Sequence, residues 1–349
     1  MKDRIKFIDI VKGISILLII FSHSRLMYYY ADLNTMMGLF RMPLFLFISG
    51  VFFNPFYDIK YFIYKKSDAL LKPYFSSLLF LLFVSAIFQK KDILQQAIGI
   101  LYGNSYTIRW ASLWYLTHLW AVFVLAYMLF RYIKLEKQSN IIKIFFVIFF
   151  IYLGSLYLSK FKKISIFIFD TNIFLCGLPF SIDLAFFSLA YLISGFFLSR
   201  KVVEFIPKKF FFFLATTTFI LIANYTDAKI IFNARVYDNP VVSTLAAFCG
   251  IYIVLTISYY ANQNEILKKI FTFFGSASLF LLIFHQAIEF KIYFALLNVL
   301  GESFHLLCKT LSFIMSAILP VYISKIFLKS NLLMLFYFPL EQNKLLHPR

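Results

Sequence analysis

Ten long apolar segments run through the sequence, and they restrict the fold more than any other feature. An α-helix rises about 1.5 Å per residue, so about 20 apolar residues cross the roughly 30 Å hydrocarbon core of a bilayer. Inside lipid, only helices and closed barrels satisfy every backbone hydrogen bond. We therefore predict an all-α, polytopic membrane protein with about ten transmembrane helices, at residues 5–24, 36–54, 73–88, 112–131, 141–159, 183–199, 209–224, 240–260, 275–296 and 308–328.

The charged residues support this prediction and orient the chain. Hydrophobic residues make up 62% of the 349 residues and charged residues 14%, against about 45–50% and about 25% in soluble domains. Most of the 34 lysines and arginines fall in alternate connecting segments. The positive-inside rule places those segments, together with both termini, in the cytoplasm. Because this asymmetry also accounts for the formal net charge of +18, we expect no nucleic-acid partner.

The apolar segments predict a single transmembrane domain over residues 1–330, followed by a short cytoplasmic tail over residues 331–349. The first segment is too long for the apolar region of a signal peptide and lacks a small-residue cleavage site, so we expect it to remain as the first span. Cys176, Cys249 and Cys308 show no paired spacing. We therefore expect neither a disulfide framework nor a metal site.

One segment, Lys160–Ser181, does not fit the regular pattern of spans. It is apolar but is interrupted by Asp170, by Asn172 and by Gly177-Leu178-Pro179. It can be an interfacial loop, a re-entrant piece or part of an eleventh crossing. The charge asymmetry favours the first two, because an eleventh crossing would disturb it.

The first apolar segment carries three polar residues that a plain membrane anchor would not need: Asp9, Lys12 and His23. At about 100° per residue, all three lie within an arc of about 60° on one helix face. Lys12 and His23 are separated by about 16 Å along the helix axis. Ionisable residues in a spanning helix usually face a bundle interior or a water-filled cavity. We predict that this face lines a site with one end on each side of the membrane.

Other ionisable residues fall in the middle and outer half of the predicted spans. They are Arg41, His118, His285 and Glu289, and the last two share a helix face at i, i+4. Each also has a structural interpretation: Arg41 as a snorkelling cation, His118 as a packing residue, and His285 with Glu289 as a hydrogen-bonded pair. Among the polar residues His23 is the strongest functional candidate, since histidine titrates near neutral pH and serves as a general base.

Two further pairs have structural alternatives. Asp9 and Lys12, at i, i+3, can form an ion pair near the inner interface. Trp114 and Tyr115 lie in the outer third of the fourth span, where they also fit an interfacial aromatic belt.

Six short motifs follow one another along the chain: DIVKGISILLIIFSH (9–23), FRMPLFLFISGVFF (40–53), LLKPYF (70–75), SLWYLTHLW (112–120), LPFSIDLAFFSLAYLISGFFL (178–198) and FFGSASLFLLIFHQ (273–286). Together and in this order they resemble the integral-membrane acyltransferase-3 superfamily, and the Asp-x-x-Lys-Gly form is most similar to its fucose 4-O-acetylase-like branch. Two features depart from the family pattern. Lys12 stands where arginine is more common, and the Arg-x-x-Arg that many members carry before the third helix is absent. Lys65, Lys66 and Lys72 occupy that region instead.

The resemblance implies an activity: transfer of an acyl group, usually acetyl, from cytoplasmic acyl-CoA to a hydroxyl of an extracytoplasmic glycan. The implied donor is acetyl-CoA or another short acyl-CoA, such as a succinyl donor. The implied partners are membrane lipid and a glycan or lipid-linked oligosaccharide acceptor, at the inner membrane of a bacterium. A homo-oligomer is left open.

The resemblance also suggests roles for individual residues. His23 is the expected general base, Asp9 orients Lys12, and Arg41 stabilises an oxyanion or positions the acceptor. Lys12, Lys65, Lys66 and Lys72 are expected to hold CoA phosphates. Trp114 and Tyr115 are expected to stack on a sugar ring, and His285 and Glu289 to bind the acceptor or handle protons.

Two other function classes are compatible with the same polar residues. A transporter or flippase for a lipid-linked glycan would use them to line a pathway, and it would move its ligand without consuming acyl-CoA. A glycan polymerase normally carries a large outer loop, which we do not find in this sequence.

Overall fold

A computed structural model of the chain describes residues 6–88, 93–161, 164–168 and 171–340. The residue contacts form two compact units. The first unit comprises Met1–Phe52 and Ser194–Ser324, and the second comprises Phe53–Ile193 and Lys325–Arg349. Both units are discontinuous in sequence. A single domain over residues 1–330 stays a prediction, and residues 341–349 of the predicted tail lie outside the described residues.

Each predicted span coincides with a helix. In chain order the helices of the described residues are α1 (Lys6–His23), α2 (Ala31–Val51), α3 (Ile59–Lys66), α4 (Lys72–Phe88), α5 (Ile93–Tyr102), α6 (Trp114–Ile133), α7 (Asn140–Tyr157), α8 (Ala185–Phe197), α9 (Ser199–Val203), α10 (Lys209–Tyr225), α11 (Pro240–Gln263), α12 (Glu265–Ser276), α13 (Ser278–Leu300), α14 (His305–Phe327) and α15 (Asn331–Tyr337). The ten predicted segments match α1, α2, α4, α6, α7, α8, α10, α11, α13 and α14.

Several helix starts follow from local sequence. Asp58 caps α3 by accepting a hydrogen bond from the Lys60 backbone N–H. Asn264 caps α12 in the same way through two backbone N–H groups. Pro240 occupies the first turn of α11, where its missing N–H has no partner to lose. Asn264 also ends α11, so a single residue there separates two apolar helices.

Eight helical segments of the described chain are long and apolar enough to cross a membrane: Arg25–Val51, Ile59–Phe88, Ala111–Ile133, Asn140–Tyr157, Pro179–Phe197, Pro240–Gln263, Ser278–Leu300 and Glu302–Phe327. α1 differs because its 18 residues include Lys6, Asp9 and Lys12. α10 is apolar but has only 17 residues. The chain is therefore an all-α, polytopic membrane protein, as predicted, while the crossings of α1 and α10 and the cytoplasmic termini stay predictions.

The described part of Lys160–Ser181 forms an antiparallel β-hairpin rather than a helix. Strand β1 (Ile164–Ile168) pairs with β2 (Thr171–Leu175), and the Gly177 backbone N–H donates to the Phe161 carbonyl across the base, at 2.8 Å. A two-stranded hairpin leaves two edges of unpaired backbone groups, which hydrocarbon does not tolerate. The hairpin therefore excludes an eleventh helical crossing in these residues and fits an interfacial segment. A second hairpin pairs β3 (Lys229–Ile231) with β4 (Val236–Asp238).

Two glycines let α1 and α12 approach closely in the first unit. A Cβ added at Gly13 would overlap the backbone oxygen of Phe271, and one added at Gly275 would overlap the backbone oxygen of Asp9. Helices without side chains at the crossing point can pack backbone against backbone. α1 is packed in addition by α2, α11 and α13. The helix that carries the predicted site is thus held on several sides within its own unit.

In the second unit, the C-terminal segment is bound to the α3–α4 region. The Ser76 hydroxyl donates to the Phe336 carbonyl at 3.2 Å, and the Leu340 backbone N–H donates to Asp68 Oδ2 at 2.7 Å. α15 is therefore an ordered part of the second unit, and the described beginning of the predicted tail is docked along its own unit.

Candidate functional site

His23 ends α1 and presents an exposed imidazole. The side-chain amide of Gln286, on α13, donates to His23 Nδ1 at 2.9 Å. With an N–H donor at Nδ1, the lone pair of the neutral ring is on Nδ1 and its proton is on Nε2. The His23 ring also lies beside the ring of His285, with 5.3 Å between ring centroids. The structure therefore brings together the first and last motifs of the sequence.

His285 is buried, with 1% of its surface exposed. Its Nδ1 lies 2.7 Å from the Leu281 carbonyl oxygen. A carbonyl only accepts, so Nδ1 carries the proton and Nε2 carries the lone pair. Within the part of the chain that the structure describes, Nε2 has no hydrogen-bond partner. His285 thus carries a buried acceptor atom with no partner among the described residues, on a ring that lies beside that of His23.

Glu289, one turn beyond His285, is bonded to Arg25 rather than to His285. Its Oε1 accepts from the Arg25 backbone N–H at 3.0 Å, and its Oε2 pairs with the guanidinium. The guanidinium also lies over the ring of Tyr293, 4.5 Å from the centroid, and close to Phe290 and Phe294. α13 therefore fixes the chain two residues beyond His23. The structural alternative in which Glu289 pairs with His285 is not what the structure shows.

Sequence reasoning missed Arg25 and Gln286. Their positions in the sequence were the available indication, since Arg25 follows His23 by two residues and Gln286 adjoins His285. Nothing in the sequence indicated that α1 and α13 meet, and only that contact brings these side chains together.

Arg41 lies on α2 and is half-buried. Its guanidinium donates to the Asn34 side-chain oxygen at 2.9 Å, two helical turns earlier. Arg41 also acts electrostatically on His23. The structure thus places this cation within electrostatic range of the His23 imidazole, in the same unit.

Asp9 and Lys12 occupy the opposite end of α1. Asp9 is buried at the crossing with α12. The Lys12 ammonium lies over the ring of Phe52, 4.5 Å from its centroid. The axial separation of about 16 Å between Lys12 and His23 is preserved, because α1 is one continuous helix. An ion pair between Asp9 and Lys12 stays a prediction.

The three predicted lysines of the second unit differ in their surroundings. Lys65 bonds the Tyr61 hydroxyl at 3.2 Å. The Lys66 ammonium lies 3.7 Å from the ring centroid of Phe123. Both ammonium groups thus rest on aromatic faces, which attract cations through the ring quadrupole.

Of the three lysines, Lys72 has an ammonium group that is bound by both a carboxylate and a backbone carbonyl. Its ammonium pairs with Asp68 and donates to the Phe338 carbonyl at 2.6 Å. Lys72 therefore joins α4 to the C-terminal segment, and this contact uses donors that a phosphate would need.

Trp114, Tyr115 and His118 are buried at the start of α6, in the second unit. His118 Nε2 bonds the Ser188 hydroxyl at 2.7 Å, and the Trp114 ring lies beside that of His118, with 5.3 Å between centroids. This environment fits the interpretation of His118 as a packing residue. Sugar stacking by Trp114 and Tyr115 stays a prediction that their burial does not favour.

A cavity of about 620 Å³ lies in the second unit, lined by side chains of α6, α7 and α8. Its lining is apolar apart from Asp183 and contains none of the predicted site residues. Asp183 accepts a hydrogen bond from the Leu178 backbone at 2.8 Å. Among the described residues, no three His, Cys, Asp or Glu side chains are grouped so that they could hold a metal ion.

Comparison with known proteins identifies the family. No curated protein and no solved structure matches the chain. The sequence model of one family, described as an acyltransferase domain, matches residues 5–335. The match includes the first-helix residues Asp9, Lys12 and His23 and the α13 residues around His285. Since it covers nearly the whole chain, this membrane protein belongs to the acyltransferase-3 superfamily and is an acyltransferase.

Proposed function

We propose that this acyltransferase moves a short acyl group, acetyl in the first instance, from cytoplasmic acyl-CoA to a hydroxyl of an extracytoplasmic cell-surface glycan. The acceptor class comprises O-antigen, capsule and exopolysaccharide, or their lipid-linked precursors. The setting is the inner membrane of a bacterium, and the motif form favours the fucose 4-O-acetylase-like branch. The proposed chemistry uses acetyl-CoA as donor substrate and no metal.

The arrangement of His23 carries this proposal. A hydroxyl is a poor nucleophile until a base takes its proton. His23 is exposed at the end of α1, and its ring is oriented by Gln286. Lys12 stands about 16 Å away on the same helix. A cation at one end and a base at the other suit a donor and an acceptor that arrive from opposite sides.

In the proposed reaction, the acceptor hydroxyl loses its proton to His23 while its oxygen attacks the thioester carbonyl. The C–S bond then breaks, and the CoA thiolate leaves with the proton from His23. Negative charge develops on the carbonyl oxygen, and we assign the stabilisation of that charge to the Arg41 cation.

On the donor side, we assign a CoA phosphate to Lys12, which binds phosphate as a point charge. Asp9 is assigned to orient Lys12. Lys65 and Lys66 remain candidates for the same donor. Lys72 is expected to contribute least, because Asp68 and the Phe338 carbonyl already engage it.

On the acceptor side, Glu289 is better assigned to holding Arg25 than to binding the glycan. The proposal does not depend on sugar stacking by Trp114 and Tyr115.

Purified protein in lipid vesicles, supplied with radiolabelled acetyl-CoA, tests the proposal. We expect transfer of label to a hydroxyl acceptor, or slow release of acetate without one. In Lys12→Ala the KM for acetyl-CoA should rise by about tenfold or more, with little change in the KM for the acceptor. Lys6→Ala, at the exposed start of the same helix, is the matched control. Absence of any acetyl-CoA consumption would contradict acyl transfer and favour the transporter alternative.

A further inference from the structure

The imidazole of His285 is fixed in one tautomer. Its Nδ1–H donates to the Leu281 carbonyl, one turn earlier in α13. Its Nε2 therefore holds a lone pair, and this atom has no hydrogen-bond partner within the described residues. A buried polar atom without a partner costs about 1–3 kcal/mol. Such an atom beside the candidate base calls for an explanation.

His23 is the neighbour that can use this lone pair. In the common arrangement of a catalytic histidine, a carboxylate accepts the second N–H and stabilises the imidazolium. Within the described part of the chain, no carboxylate is bonded to His23. Glu289 is the carboxylate nearest to the two histidines in sequence, and both of its oxygens are bonded to Arg25.

Among the described residues, charged or titratable groups lie on several elements near the two histidines. Arg25 follows α1, Arg41 comes from α2, and Glu289 comes from α13 itself. His305, at the start of α14, bonds the Tyr293 hydroxyl at 3.0 Å. An imidazolium with a cation such as Arg41 in the same unit is better stabilised when its second N–H has an acceptor.

We propose that His285 is a positioning residue for His23, with its neutral Nε2 accepting the second N–H of the His23 imidazolium. This inference rests on the proposed function for its chemical step. The tautomers assigned from the hydrogen bonds fit it, because His23 then carries its proton on Nε2 and has its lone pair on Nδ1. The Gln286 amide N–H donates to Nδ1 where the acceptor hydroxyl would donate.

The proton is conserved through the step. The hydroxyl O–H bond breaks and an N–H bond forms on His23 Nδ1, which gives an imidazolium whose Nε2–H bonds His285 Nε2. When the thioester C–S bond breaks, the thiolate takes the proton from Nδ1, and both histidines are neutral again. Because two adjacent imidazolium ions would repel each other, the pair carries at most one extra proton.

The pH dependence of His23 modification by diethyl pyrocarbonate tests the pair without requiring activity. The reagent carbethoxylates neutral imidazole, and mass spectrometry reports the rate at His23. In His285→Phe, which keeps a ring but no lone pair, protonated His23 loses its acceptor. The midpoint of the rate curve should therefore move to lower pH by about half a unit or more. The amide oxygen of His285→Gln should restore part of the shift.

His305→Gln is the matched control, since it makes the same substitution in the same unit at a histidine outside the pair. It should leave the midpoint unchanged. Only folded protein, selected by size-exclusion chromatography, is compared, and the Gln variant replaces Phe if Phe does not fold. An unchanged midpoint in folded His285 variants would overturn the proposal.

Acyl transfer measured on the same samples separates the two levels of inference. We expect His285→Phe to lower kcat by at least about tenfold, a fraction of the roughly 10²–10⁴-fold that a positioned base contributes. Active wild-type protein with a His285→Phe variant within about twofold of it would overturn the role of His285 alone. A midpoint shift in protein that transfers no acyl group would support the pair and contradict the proposed function.

Discussion

At the scale of single residues, the orientation of His23 depends on the Gln286 amide. The hydrogen bond of 2.9 Å fixes both the ring and its tautomer. Gln286→Leu keeps a side chain of similar size on α13 but removes the donor. The acceptor hydroxyl must displace this amide from Nδ1, so the bond orients the ring in the free enzyme. We expect kcat/KM for acyl transfer to fall by about tenfold, since a base that is misoriented before the acceptor binds loses much of its contribution. Asn298→Leu, at an exposed amide on the same helix, is the control, and equal activity of the two variants would contradict this role.

Glu289 gives a second prediction at this scale. Glu289→Ala leaves the Arg25 guanidinium among aromatic rings without its carboxylate. Because Glu289 is buried and Arg25 is partly exposed, we expect a loss of about 2 kcal/mol in stability. Thermal unfolding in detergent measures it, with Glu302→Ala at an exposed position as control. A melting temperature equal to that of the control would show that the ion pair contributes nothing.

Residue-level prediction from the sequence succeeded for what depends on one helix and fell short where two helices meet. Periodicity placed Asp9, Lys12 and His23 along α1, and the structure keeps them on that helix. It gave no means of finding Arg25 or Gln286, because the contacts of these side chains depend on how α1 and α13 pack. The same limit applies to the ion pair of Glu289 with Arg25, while acceptor binding by Glu289 stays a prediction.

At the scale of helices, the crossing of α1 and α12 is the contact most sensitive to side-chain size. Gly13→Ala would place a Cβ against the Phe271 backbone oxygen, and a backbone atom cannot move aside as a side chain can. We expect destabilisation of about 2 kcal/mol or more. Gly38→Ala on α2 is the matched control, because a Cβ there makes only ordinary contact with the Ile230 oxygen. Equal thermal stability of the two variants would show that the helices are not this close.

The helices were predictable and the hairpin was not, for one physical reason. Long apolar segments in lipid must be helical, so hydropathy predicted all ten long helices to within a few residues. The short apolar stretches at 164–168 and 171–175 carry no such constraint. Short apolar runs do not distinguish strand from helix by periodicity, so the sequence did not predict the hairpin.

At the scale of the whole molecule, charge asymmetry and α1 together suggest a reaction that joins two compartments. Lysine and arginine bias predicts an orientation with both termini in the cytoplasm. In that predicted orientation, Lys12 is near the cytoplasmic side and His23 near the outer side. The family match over residues 5–335 supplies acyl transfer as the chemistry. The acceptor does not follow from either observation, since a glycan is recognised by side-chain detail that motifs and topology do not contain.

Mass spectrometry of the cell-surface glycan tests the central claim most directly. Cells that lack the gene are complemented with the wild-type chain, with His23→Ala or with the control His305→Ala, and membrane insertion is checked for each. We predict one acetyl group per glycan repeat with the wild-type and control chains, and none with His23→Ala. Wild-type levels of O-acetyl ester in the inserted His23→Ala variant would contradict the assignment of His23 as the base.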